Sequence, residues 1–197
     1  MSFDFNDAGP QRSFEIIPAD TIATLHMTVK SGGAGENGWL KRSKAGDSEA
    51  LDCKFTVVDG KFAKRVFFTL FTIAGVSEGH AAAASISHSR LRAILESARN
   101  IKPSDNSDAA KEARRISSFG DFDNLRFIGR IGSEPPKGEY KAKNVLTEVI
   151  TPDQREWHPV EQVAKPDGGT ASPGTASPVT AAAATAAPVI MRPAWAR

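Results

Sequence analysis

The residue types that most often carry chemistry are sparse in this chain. There is one cysteine, Cys53, and there are four histidines, His26, His80, His88 and His158. A lone cysteine excludes an intramolecular disulfide and any CxxC zinc or redox site. His80 and His88 stand eight positions apart with no carboxylate set between them, so no metal is expected. Cys53 falls on the inward side of an alternating run, where a thiol behaves as a small hydrophobe rather than a nucleophile. No serine occupies a nucleophile elbow, and Asp121 and Asp123 read as turn chemistry. The run GAGENG at 33–38 fits GxGxxG, but a dinucleotide site needs a helix to begin immediately after it. The residues after Gly38 are instead basic, include Gly46 and lack a helical apolar stripe. The P-loop spacing is also met there, yet Trp39 and Leu40 stand where Lys and Ser/Thr belong. These residues predict neither an enzyme nor a cofactor.

Basic residues interleaved with aromatics remain. Trp39 is followed by Lys41, Arg42 and Lys44; Lys64 and Arg65 precede Phe67; Arg126 and Arg130 share one side of a strand; Tyr140 precedes Lys141 and Lys143. Single-stranded nucleic acid is held by such sets: cations track phosphates, and flat rings stack on bases. The whole-chain charge of +2 does not announce nucleic acid. Segregated signs can nonetheless make a basic stripe on a balanced protein.

The elements that must position these residues emerge from periodicity. Residues 21–30 alternate, with Ala23, Leu25, Met27 and Val29 on one side. Residues 49–58 alternate again, with Leu51, Cys53, Phe55 and Val57 inward, and Asp59-Gly60 marks a turn. Residues 65–73 are apolar on both sides, which predicts a central or doubly covered strand. Helical spacing runs over 78–99, capped by Ser77 and stopped by Asn100 and Pro103. A short helix is predicted over 107–117, with Ala109, Ala113 and Ile116 buried; strands come next at 124–132 and 140–150. The fold class is therefore mainly β with a helical insertion. The order β-β-β-α-β-β predicts an OB-fold-like five-stranded barrel, whose strand 2–3 face and flanking loops form the groove.

Composition breaks near residue 160. The pentapeptide GTASP repeats at 169–173 and 174–178, among alanines, prolines and threonines. Such a segment buries too little apolar surface to offset chain entropy. The division is thus 1–158 for the nucleic-acid-binding domain and 159–197 for a disordered tail, whose apolar end at 189–197 can dock a partner. No apolar run is long enough to span a membrane, and the acidic N-terminal stretch predicts no secretory signal. A reducing, cytoplasmic compartment is expected.

Five stretches carry a family resemblance: 38–43 (GWLKRS), 51–60 (LDCKFTVVDG), 63–68 (AKRVFF), 91–96 (LRAILE) and 141–144 (KAKN). Over about residues 3–157 the chain resembles a family of small phage and prophage proteins, long grouped as a domain of unknown function, that look like single-stranded DNA-binding proteins. The resemblance implies binding and protection of single-stranded DNA during replication or recombination, without a cofactor. Arg65, Lys143 and Asn144 match its basic positions. The resemblance does not include the tail, which is expected on its own account to recruit replication or recombination proteins. Bacterial single-stranded DNA-binding proteins often end in an acidic tip, whereas this chain ends RPAWAR, which sets it apart from acidic-tip docking. The alternative is a β-barrel that serves protein interaction or structure without binding nucleic acid. Homo-oligomerisation is left open.

Overall fold

The computed structural model describes residues 16–163, together with Asp4, Asn6, Asp7 and Gly9. Six strands, β1 (Thr21–Lys30), β2 (Lys41–Arg42), β3 (Ser48–Val57), β4 (Val66–Gly75), β5 (Arg126–Glu134) and β6 (Lys143–Ile150), form one open antiparallel sheet. Two helices, α1 (Glu78–Arg99) and α2 (Asp108–Ala113), and a 3-10 turn at Phe119–Phe122 lie between β4 and β5. The mainly β class and the helical insertion stand as the sequence predicts.

β1 organises the sheet. Its C-terminal half pairs with β3, from Leu25↔Val57 to Lys30↔Asp52, and its N-terminal half pairs with β5, from Thr21↔Ile131 to His26↔Arg126. β4 pairs along the other edge of β3, and β6 pairs with β5. The two-residue β2, which periodicity does not reveal, returns the chain to β3 beyond the end of β1 (Lys41↔Ala50). β4 and β6 approach each other without a shared ladder, and a cavity of about 270 Å³ opens between their first residues.

The predicted inward sets build the core. Leu25, Met27 and Val29 meet Leu51, Cys53, Phe55 and Val57, with Leu91, Ile94 and Leu95 of α1 packed against them. Phe55 is central, its ring centroid 5.3 Å from Phe67 and 5.7 Å from Phe127. Burial pushes the Cys53 thiol well up, so it is an inert core group. α1 begins where the Ser77 hydroxyl accepts from the His80 amide, and it ends at Asn100 in the left-handed region (φ 55°).

Three expectations are corrected. β4 is covered on one face only: Phe67 and Phe71 are buried, while Val66, Phe68 and Leu70 are exposed. α2 is shorter than predicted and buries Ala110 rather than Ala109, because its N-cap, Ser107, sets the phase. The folded unit runs past residue 158: the Gln162 side chain donates to the carbonyls of Ala98 and Arg126 and accepts from the Arg126 amide. The expected tail lies outside the described residues from 164 onward.

Candidate nucleic-acid interface

Strand alternation turns every second residue of β4 away from the core. Val66, Phe68 and Leu70 are therefore 45%, 52% and 57% exposed, three apolar side chains in a row on the outer face. Registers place Thr56, Lys54 and Asp52 of β3 beside them, and Thr28 and Lys30 of β1 beyond. The Lys30 ammonium stands 4.3 Å over the Phe68 ring centroid, within cation–π range. Lys41 of β2 reaches Asp52 of the same face at 3.6 Å. The outer face of β1, β3 and β4 is thus an apolar stripe with one exposed ring, flanked by lysines.

The β5–β6 connection extends this surface. Lys137 and Tyr140 exchange backbone hydrogen bonds at 3.1 Å, closing a turn that leaves Tyr140 82% exposed. Tyr140, Lys137, Lys141 and Lys143 line a cavity of about 240 Å³. Lys143 also lines the cavity between β4 and β6 together with Arg65 and Phe68, so the two adjoin. Arg65 is brought there by a tight turn in which Lys64 adopts positive φ (68°). Lys143 pairs with Glu134 at 2.9 Å across exposed surface, a contact that salt and a competing phosphate readily replace.

The thirteen residues singled out from the sequence separate into groups. Arg65, Tyr140, Lys141 and Lys143 line two adjoining cavities near the first residues of β4, whereas Lys41 stands on Asp52 at the Leu70 end of the stripe. Lys44 and Lys64 are exposed in turns, and Arg42 holds Glu49 at 2.7 Å. Phe67 does not belong to the surface: it is 4% exposed and packs on Phe55. The Asn144 side chain holds both backbone groups of Ile17 and the Gly132 carbonyl, which is a structural clamp. Arg126 lies under residues 161–162, and Arg130 pairs with Glu148 at 2.9 Å. The Arg130 hydrogen bond, helped by Gln154, holds the Glu148 carboxyl below the usual carboxylate range. Trp39 is half-buried against Gly120 rather than free in a polar loop: a Cβ on that glycine would lie 2.6 Å from the indole.

Lys30, Lys54 and Phe68 escaped the sequence reading. Both lysines alternate outward in their strands, but adjacent apolar residues hide which face of β4 is open. The GAGENG loop does not lead into a helix, since Lys41–Arg42 is a strand. Three of its six amides are engaged within the loop, Gly33 on the Gly38 carbonyl, Ala34 on the Leu40 carbonyl and Gly38 on the Gly35 carbonyl, and are not turned to a phosphate. Among the described residues, no cluster of His, Cys, Asp or Glu has metal-binding geometry, and no helix is long and apolar enough to cross a membrane. No protein-family model matches the chain, and no curated protein matches it.

Proposed function

We propose that the chain is a non-enzymatic single-stranded DNA-binding protein of the phage and prophage kind its sequence resembles, protecting DNA strands in replication or recombination. The observation that carries this reading is the open face of β4. An exposed Phe68 sits between Val66 and Leu70 with an ammonium over its ring, and Lys54 lies beside it. Water-exposed aromatic surface bordered by cations suits a polymer of flat bases on a phosphate chain. An isolated apolar stripe would suit protein partners better, but here Lys54 and Lys30 stand beside its ring and Arg65 and Lys143 at its first residue.

The strand pairing favours an OB-like barrel. β1 borders both β3 and β5, β4 follows β3, β6 follows β5, and α1 intervenes between β4 and β5. In that fold the second and third long strands and the loops joining strands 1–2 and 4–5 make the binding groove. Here these are β3, β4, the segment 31–47 and the segment 135–142, where Phe68, Lys54, Lys41 and Tyr140 stand.

The test is fluorescence anisotropy of labelled oligo(dT) over a salt series. Affinity should fall as salt rises, with a slope of about 0.7 per neutralised phosphate. Oligo(U) and duplex of equal length report RNA and duplex preference. Absence of binding at low salt refutes the proposal and leaves a protein-interaction module as the reading.

A further inference from the structure

A third cavity lies between the glycine-rich segment 31–40 and the residues before the 3-10 turn. It has a volume of about 210 Å³ and is lined by Trp39, Leu40, Ile116 and Phe119, with Asn37 and Ser118 among its polar groups. From these groups we infer that it is a nucleobase pocket: it receives one flat heterocycle, with Trp39 and Phe119 as ring contacts and Asn37 reading the base edge. The inference rests on the single-strand reading when the base comes from a polymer, and it stands apart from that reading when the base is a free nucleotide.

Three features favour a base over other small ligands. Most of the named wall is apolar or aromatic, so a flat ring gains by leaving water. Its polar side chains are the Asn37 amide, the Ser117 and Ser118 hydroxyls and the Glu36 carboxylate; amide and hydroxyls both donate and accept, the carboxylate accepts, and together they match the mixed edge of a base. The named wall holds no cation, so the pocket suits the base and not the phosphate; the Lys41 and Arg42 side chains come directly after it in the chain. The walls are also held in place. Gly120 abuts the indole so closely that a methyl group there would collide with it. Asp121 accepts from the amides of Ser117 and Ser118, fixing the other wall. The glycine segment closes on itself through the paired backbone bonds of Ala34 and Leu40. A Cβ at Gly35 would press on the Leu40 side chain at 3.0 Å, so glycine there keeps this wall open. A preformed site avoids the ordering cost that a flexible loop would incur on binding.

The experiment follows the Trp39 indole N–H resonance in the full chain, assigned by loss of its peak in Trp39→Phe. Three probes are titrated: oligo(dT), an abasic oligomer of equal length, and thymidine monophosphate. A shift with oligo(dT) but not with the abasic strand supports a base delivered by the polymer. A shift with the mononucleotide alone supports the same pocket with a free nucleotide as its source. Equal shifts with oligo(dT) and the abasic strand overturn the inference, because the backbone then suffices. No shift with any probe also overturns it, even if anisotropy shows that DNA binds elsewhere. Ser117→Leu at the exposed rim and Asn37→Ala should each weaken the responding probe by roughly 5- to 150-fold, the range for one base contact, with unchanged circular dichroism. Unchanged binding in both variants would place the base elsewhere.

Discussion

Replacing Phe68 with alanine separates binding from stability. The ring is about half exposed, so truncation forfeits roughly half of the 1.5–3 kcal/mol for burying a large apolar side chain, or about 1 kcal/mol. The cation–π contact with Lys30 adds about 0.5 kcal/mol at such a site. The variant should therefore stay folded, with a midpoint lowered by only a few degrees. Stacking of one base is worth ~1–3 kcal/mol, so affinity for oligo(dT) should fall roughly 5- to 150-fold. Phe67→Ala is the counterpart. Its ring is buried against Phe55, and its loss should cost about 3–5 kcal/mol of stability. Anisotropy titration and thermal melting of both variants, with Phe68→Trp as a rescue, complete the set. A Phe68→Ala protein that melts near the parent and binds oligo(dT) within twofold of it would refute the reasoning.

Changing Lys30 and Lys54 together to alanine should reduce the salt slope by about 1.4, two contacts at about 0.7 each, and an unchanged slope would remove both from the phosphate path. Glu96 is 3% exposed and is held by Arg92 at 2.9 Å and by Arg114 at 2.7 Å. Glu96→Ala takes the carboxylate from Arg114, leaving its guanidinium on the carbonyls of Asp105 and Lys102, and should cost about 3 kcal/mol, read as a clear drop in melting temperature. The Glu148 carboxyl lies below its ordinary value of 4.5 when folded, so its pairing with Arg130 stabilises the protein above that pH and is lost as pH falls through the folded value. Glu148→Gln should flatten this acid limb by about 0.5 kcal/mol or less, since the pair is partly exposed, and a melting series from pH 6 to 3 measures it.

Local periodicity was enough for the elements it directly constrains. Leu25, Met27 and Val29, and Leu51, Cys53 and Phe55, alternate cleanly and lie where alternation puts them. Phe67 and Phe68 are neighbours of identical chemistry, and only the register against β3 decides which points inward. That one-residue ambiguity moved the candidate ring from the surface to the core. Other misplacements come from partners remote in sequence. Trp39 rests on Gly120, Asn144 on Ile17, and Arg126 under Gln162, and no local pattern encodes these contacts. The charge sets were legible as types, but which cations remain available depends on Glu148 and Glu49 across the sheet.

The position of β1 between β3 and β5 has a consequence for the nascent chain. β3 emerges from the ribosome soon after β1, so that ladder can close early. Residues 126–134 must be made before the other edge is covered. At about 5–20 residues per second, the interval from the end of β3 to the end of β5 is roughly 4–15 s. Throughout it, residues 21–26 offer unpaired amides and carbonyls to neighbouring chains. Soluble yield should therefore depend on how quickly translation crosses the α1–α2 region, and slow synthesis there should favour aggregation seeded by β1.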